Sequence, residues 1–268
     1  MIFNQTITEL INQRHSVRTY TSEPISDTIL SQIESYFDQI ETPFEQKPRF
    51  KLLNSNNHHG KPIKLGTYGM IKNASYFLGV AIEKNNLDYE TIGYAFEKLV
   101  LYCTSLGLGT CWIGGTFNKT NFTKLMNVRE NEIFPIVSPL GYEADKKRFI
   151  ESLISRNSRN RFDFSELFFN GNFSTPLTKE EAGPYYQALE NVRLAPSAVN
   201  KQSWRIIKND QLYHFYIDQD TPAKRIDIGI ALCHFHLTAL ESGLSGTFIQ
   251  QSPSHQTDFK YVISWIQE

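Results

Sequence analysis

One helical pattern occurs twice in this chain, at an offset of 136 residues, and this repeat constrains the fold more than any other feature. TIGYAF begins at Thr91 and DIGIAL begins at Asp227; Gly-Leu pairs follow at Gly107 and Gly243. Upstream, RFKLLN at 49–54 matches WRIIKN at 204–209 at a larger offset. Self-similarity over this length predicts a duplicated folding unit rather than a solenoid. The alternative is two unrelated α/β segments with chance matches.

Hydrophobic periodicity predicts the main elements of the first half. A helix is expected after Ser26 or Asp27, strands at 49–54 and 76–82, and a long helix at 89–106. The long helix carries a wide apolar stripe, which predicts burial, and Gly107 is suited to end it. The β-rich run 133–142 is expected to be a strand with an edge position or a bend, because it contains two prolines.

Two segments about 180 residues apart carry residues suited to an anionic, planar ligand. The first, RHSVR at 14–18, supplies two guanidinium groups and a hydroxyl, which are the donors that a phosphate requires. The second, APSAVNKQSW, occupies 195–204. Taken alone, the first segment more often indicates a solvated basic turn, here after a helix over residues 7–13.

Three further motifs lie between these two segments. GLGTCWIGG at 107–115 follows the long helix, and its glycines would let a ligand approach the backbone closely. The alternative for this motif is a glycine-rich turn from helix to strand. PLGY at 139–142 is followed by Arg159, Asn160 and Arg161, and GTYG occupies 66–69.

Taken in this order, these motifs resemble signatures of the nitroreductase family of flavoproteins, and the Thermotoga-type branch in which one chain contains two nitroreductase-like halves. The resemblance spans nearly the whole chain. It implies an α+β nitroreductase-like fold, with a central mixed β-sheet flanked by helices and an internal duplication that mimics a dimer. The halves are expected at 1–165 and at 166–268, folded as one globular unit.

The resemblance also implies a site for flavin mononucleotide (FMN). Arginines and a hydroxyl would hold the phosphate, Arg18 would lie towards the N1/O2 edge, and the second half would reach the ring. The implied cofactor-binding residues are Arg14, His15, Ser16, Arg18, Thr67, Tyr68, Gly69, Gly114, Gly115, Arg159, Arg161, Pro196, Ser197, Ala198 and Asn200. Gly114 and Gly115 would place backbone N–H groups near flavin N5, and Arg148 and Arg156 are rivals of Arg159 and Arg161.

The implied function is FMN-dependent oxidoreduction. NAD(P)H would reduce the FMN, which would then reduce a nitro compound, a quinone or a similar small acceptor. Flavin N5 would carry the chemistry, so no catalytic side chain and no metal are expected. The alternatives are an FMN-binding sensor or carrier without efficient turnover, and a nitroreductase-like fold that has lost the flavin.

Each half retains only one of the two separated signatures. The second half has no R-x-S-x-R near its start, and the first half has ETPFE at 41–45 where P-S-A-V-N would fall. One composite site can therefore be assembled, which predicts one FMN per chain. Because the second half takes the place of a partner subunit, we expect a monomer.

Composition excludes several other classes. The net charge is −1, so nucleic acid is not an expected partner. No apolar window reaches the length of a membrane span and the N-terminus lacks a signal-peptide layout, so no membrane association is expected. The three cysteines form no C-x-x-C pair, which fits a reducing compartment and predicts a cytoplasmic protein.

Overall fold

The computed structural model describes residues 3–55, 65–145, 160–251 and 257–268. The chain divides into two compact units. Unit 1 contains the described parts of residues 1–5, 12–88 and 95–156. Unit 2 contains the described parts of residues 6–11, 89–94 and 157–268. Each unit therefore has its own core, and unit 2 includes two short segments from the first half of the sequence.

Unit 1 is a four-stranded sheet with helices. Its helices are α2 (Asp27–Phe37), most of α3 (Asp88–Ser105) and α4 (Lys119–Met126). Its strands are β1 (Arg49–Asn54), β2 (Tyr76–Glu83), β3 (Gly109–Thr110) and β4 (Glu132–Gly141). The strands pair antiparallel in the order β1-β2-β4-β3.

Unit 2 is a five-stranded mixed sheet with helices. Its helices are most of α1 (Ile7–Gln13), α5 (Phe164–Leu167), α6 (Lys179–Ala182), α7 (Tyr186–Arg193) and α8 (Pro222–Glu241). Its strands are β5 (Phe168–Asn170), β6 (Trp204–Asn209), β7 (Leu212–Ile217), β8 (Gly246–Ile249) and β9 (Lys260–Gln267). The order is β5-β6-β7-β9-β8, with β5 parallel to β6 and the other pairs antiparallel.

The two sheets share one strand order. In unit 1 the chain runs strand, strand, long helix, strand and strand, and pairs as β1-β2-β4-β3. In unit 2 the same succession pairs as β6-β7-β9-β8, with β5 added beside β6. The repeated order seen in the sequence is therefore present in the strand topology. The α+β prediction is confirmed, and the strands are distributed over one sheet in each unit rather than over a single sheet.

The predicted elements of the first half form at the expected positions. Helix α2 begins after Ser26, whose hydroxyl accepts a hydrogen bond from Ile29 N at 3.4 Å, as an N-cap does. The apolar stripe of α3 is buried, apart from the half-buried Leu106 at its end. Gly107 follows with φ 76°, a left-handed conformation that glycine adopts without steric cost.

The core of unit 2 is rich in aromatic side chains. Tyr185, Tyr213 and Phe235 lie with ring centroids 5.0 to 5.6 Å apart, and Trp265 lies 5.8 Å from Phe235. Each of these rings is almost completely buried. Their offset and edge-on arrangements add to the free energy gained from burying large apolar surfaces. This core fixes α8 against the sheet.

The repeated glycines mark a close crossing of α3 and α8 within unit 2. A Cβ atom added at Gly93 would lie 2.1 Å from Ile226 O, and one added at Gly229 would lie 2.2 Å from Glu90 O. Gly93 and Gly229 are related by the 136-residue offset, and so are Glu90 and Ile226. The two contacts are therefore reciprocal, as expected when two copies of one surface meet.

We predict that Gly93→Ala and Gly229→Ala each lower the free energy of unfolding by about 1–3 kcal/mol, because a methyl group at the crossing must displace backbone. This exceeds the gain of about 1 kcal/mol that alanine brings to a helix. Gly66→Ala is the control, since an added Cβ there has no neighbour within 4 Å. Urea denaturation measures the effect, and equal midpoints for all three variants would contradict the crossing.

Candidate functional site

Unit 1 places the 14–18 segment beside β3, which belongs to the glycine-rich motif 107–115. Ser16 forms a parallel bridge with Thr110, and Val17 N donates a hydrogen bond to Thr110 O at 2.8 Å. A Cβ at Gly109 would lie only 2.6 Å from Val17 Cγ2, so this approach requires glycine. Two motifs about 90 residues apart in sequence are thereby brought together.

The other two motifs of the first half flank the same segment. Lys72 N donates to Arg18 O at 2.9 Å, and Tyr20 N donates to Lys72 O at 3.1 Å, so the chain just after the 67–69 turn runs alongside. Thr21 N donates to Tyr142 O at 2.9 Å, at the end of β4. Four motif segments of the first half therefore converge within unit 1.

The two arginines of the 14–18 segment have different surroundings. The Arg14 side chain is only 8% exposed, and its Nε lies 3.7 Å from Oε1 of the fully buried Glu97. Trp112 Nε1 donates to the other oxygen of Glu97 at 2.9 Å. Arg18 is half-buried, and its Nη1 lies 3.5 Å from Ser16 O. No carboxylate in the described part of the chain pairs with Arg18, so most of its donors are available to a ligand.

His15 contacts protein groups through both ring nitrogens. Its Nε2 lies 2.7 Å from Glu143 Oε2 and its Nδ1 lies 2.9 Å from Gln13 O. These contacts tie the 14–18 segment to the chain that follows β4. The Ser16 side chain beside it is half-buried.

Gly114 and Gly115 present their backbone to solvent. Ile113, just before them, exchanges hydrogen bonds of 3.0 Å in both directions with Val137 on β4. Both glycines are exposed, and an added Cβ at Gly115 would meet nothing within 4 Å. Neither N–H group donates a hydrogen bond within the described residues. Two backbone donors are thus held in place by β4 and open to an acceptor.

The 67–69 turn projects an aromatic ring outward. Thr67 is buried, and its hydroxyl accepts from Ile71 N at 3.2 Å. Tyr68 is 74% exposed and has φ 48°, and Gly69 follows with φ 81°. An exposed aromatic residue in the left-handed region is uncommon. This geometry leaves the Tyr68 ring available for contact with a ligand.

In unit 2 the 197–202 loop has an unusual backbone. Val199, Asn200 and Gln202 have φ values of 46°, 59° and 48°. Val199 is β-branched, which makes this conformation a strained one, and it is also 88% exposed. Strain of this kind persists only where the surroundings determine the conformation, and it is concentrated at functional sites.

Side chains from several segments hold the 197–202 loop. Arg161 Nη1 donates to Asn200 Oδ1 at 2.6 Å, which brings two of the predicted site residues into contact. Asn200 Nδ2 in turn donates to Asn160 O at 2.7 Å. Gln202 N donates to Ser197 Oγ at 2.9 Å. Pro196 lies half-buried just before the loop, and Ala198 is exposed within it. Arg148, Arg156 and Arg159 lie outside the described residues.

A buried carboxylate that sequence reasoning missed also contacts this loop. Asp227, on α8, accepts from Ala198 N with both oxygens at 3.0 Å. Burial raises the pKa of Asp227 to about 7. One feature of the sequence could have indicated it. DIGIAL begins with Asp227, whereas the first copy of the pattern begins with the neutral Thr91.

In the part of the chain that the structure describes, no helix combines the length and apolarity that a membrane crossing requires.

Comparisons with known proteins show the family and the fold of this chain. A family described as "Putative TM nitroreductase" matches residues 6–239. The Cr(VI) reductase of Pseudomonas sp. strain G-1 is 24% identical over 248 residues, which cover 81% of this chain and 94% of that protein. Among solved structures, a "putative nitroreductase" of Thermotoga maritima MSB8 has a TM-score of 0.66 at 21% identity, covering 98% of this chain and 94% of that one. An "oxidoreductase containing FMN" has a TM-score of 0.52 at 18% identity, covering 64% and 95%. The predicted nitroreductase-like fold is confirmed.

We predict that Arg14→Met and Arg18→Met affect stability unequally. Arg14→Met removes the guanidinium beside the buried Glu97 carboxylate and should cost about 3 kcal/mol. Arg18→Met removes a group without a carboxylate partner in the described chain and should stay within about 0.5 kcal/mol of wild type. Urea unfolding at neutral pH compares the two. A loss in Arg14→Met as small as that expected for Arg18→Met would show that Glu97 does not depend on Arg14.

Proposed function

We propose that this chain, which belongs to the family described as "Putative TM nitroreductase", is an oxidoreductase that holds FMN and uses NAD(P)H to reduce a small acceptor. The observation that carries this proposal is the convergence of four motif segments in unit 1. They leave the Arg18 guanidinium and the N–H groups of Gly114 and Gly115 without strong acceptors in the described protein. These donors match a ligand that is both anionic and rich in acceptors.

The residues present fit FMN chemically. A phosphate is bound best by guanidinium, hydroxyl and backbone N–H donors, and the 14–18 segment supplies the first two in Arg18 and Ser16. An isoalloxazine ring needs donors along its polar edge and room over its face, and Gly114 and Gly115 offer N–H groups without side chains. The resemblance puts Arg18 towards the N1/O2 edge of the ring, but Arg14 is held beside Glu97, so we assign the larger share of phosphate binding to Arg18 instead.

The residues of unit 2 enter as a prediction of the resemblance, in which Pro196, Ser197, Ala198 and Asn200 contact the ring. Within unit 2, Arg161 holds Asn200 through a hydrogen bond to its Oδ1. This assignment rests on the resemblance of 195–204 to the family signature and on the strained, exposed backbone of the loop. A role for Arg159 at the phosphate stays a prediction, as does the monomeric state.

The protein's part in the reaction is to bind, orient and stabilise charge. When bound, FMN would accept a hydride from NAD(P)H and pass electrons to the second substrate. Arg18, a permanent cation, would hold the phosphate, and the N–H groups of Gly114 and Gly115 would hold a ring acceptor at a fixed place. We assign no side chain as a general acid or base. Nitro compounds and quinones are the proposed acceptors, and the Cr(VI) reductase named above adds Cr(VI) to this class.

We predict one FMN per chain, which NAD(P)H bleaches anaerobically within seconds. Flavin released by denaturation is counted against protein, and absorbance near the flavin band follows the bleaching. Two flavins per chain would contradict the single composite site. A yellow protein that NAD(P)H does not bleach would indicate a sensor or carrier, and a protein that takes up no FMN would sink the proposal.

We predict that Arg18→Met weakens FMN binding by about 1.5–3 kcal/mol, because a hydrogen bond to a charged group is lost. The control is Arg129→Met, an exposed arginine of unit 1 that follows α4. Fluorescence titration of the apo proteins with FMN measures both affinities. Unchanged affinity in a folded Arg18→Met variant would remove Arg18 from the site.

A further inference from the structure

We propose that Asp227 is a positioning residue, whose carboxylate holds the 197–202 loop in its ligand-binding conformation through the Ala198 N–H. The inference rests on the proposed function in one respect, namely that this loop contacts FMN. Asp227 itself would not touch the cofactor. It would act through the backbone of Ala198.

The Asp227 carboxylate accepts hydrogen bonds from a single donor in the described chain. The residue is 4% exposed, and both carboxylate oxygens lie 3.0 Å from the same donor, Ala198 N. In the described chain no other hydrogen bond to this carboxylate is present. A carboxylate that is buried with a single donor costs free energy, so packing alone does not account for it. Its specific effect is to fix the first residue of the strained turn.

The loop requires fixing at this point. Val199 follows Ala198 directly and has the left-handed conformation that a β-branched residue disfavours, with its side chain in solvent. No core contact therefore holds Val199. Arg161 holds the next residue, Asn200, and Ser197 Oγ holds Gln202 N. Asp227 supplies the remaining anchor, on the N-terminal side of Val199.

The internal repeat provides an independent argument. The residue that corresponds to Asp227 at the 136-residue offset is Thr91, and the surrounding I-G-x-A pattern is the same. The first half also has ETPFE at 41–45 in place of the P-S-A-V-N loop. The acid is therefore present in the half that has the loop and absent from the half that lacks it. A helix residue with a role in packing alone would not be expected to occur only in the half that contains the loop.

Burial affects the pKa of Asp227 more than the neighbouring charges do. Lys224, on the same helix, lowers its pKa and Asp218, after β7, raises it, while burial is the larger effect and brings the pKa to about 7. Lys224 Nζ and Asp218 Oδ1 pair with each other at 2.8 Å. Arg225 is paired with Glu90. The Ala198 N–H opposes burial and lowers the pKa of Asp227, because a hydrogen bond from this donor favours the charged carboxylate.

The test is hydrogen exchange of the loop amides in the apo protein. After correction for intrinsic exchange, Ala198 should be about fivefold less protected in Asp227→Ala than in the wild type at the same pH, because its N–H loses the acceptor. Asp227→Asn, which keeps an acceptor oxygen, should restore most of this protection. Asp220→Asn removes an exposed carboxylate before the same helix and should behave as wild type. FMN affinity should fall in Asp227→Ala in parallel with the protection of Ala198 and recover in Asp227→Asn.

Two results would overturn the inference. One is equal protection of Ala198 in the wild type and in a folded Asp227→Ala variant. The other is an FMN affinity that is unchanged in Asp227→Ala although the protection of Ala198 is lost. If Ala198 loses its protection in Asp227→Ala but the wild type does not bind FMN, the loop anchor stands and the proposed function fails, so the two failures are distinguishable.

Discussion

The crossing of α3 and α8 at two glycines is the packing constraint that fixes these two helices against each other within unit 2. Neither Gly93 nor Gly229 has room for a methyl group, because each faces a backbone carbonyl of the other helix. Helices that approach this closely have little freedom to slide or rotate. Their polar side chains are therefore placed precisely enough to hold loops. Glu97, one turn after Gly93, lies beside Arg14, and Asp227, two residues before Gly229, holds Ala198.

Both anchors are buried carboxylates, and this choice has a physical reason. A buried carboxylate is stable only when its partner is in position, since the unpaired charge is costly. It therefore selects one conformation of the segment it contacts more sharply than an apolar contact would. Arg14 with Glu97 defines one side of the 14–18 segment, and this leaves Arg18 as the arginine with donors to spare. Asp227 does the same for a loop that contains the strained Val199.

Much of the fold could be predicted from the sequence, because it depends on local patterns. The strand at 49–54, the helix after Ser26 and the long buried helix follow from periodicity and capping. The repeat predicted the shared strand order, although it did not show that each unit has its own sheet. The pairing of Arg14 with Glu97 and of Asp227 with Ala198 was missed, because such contacts join residues far apart in sequence. Nor does a sequence show that Val199 has a left-handed backbone.

The two copies of the repeat share their packing residues but differ in their candidate site residues. Both retain glycine at the helix crossing, because a side chain in either copy would force the helices apart. The polar groups are divided: R-H-S-V-R is present only in the first half, and P-S-A-V-N with Asp227 only in the second. A contact that is shared by two copies constrains both, whereas a ligand site needs each component once. A duplicated scaffold with one set of site residues is the expected result when the scaffold is needed twice and the site once.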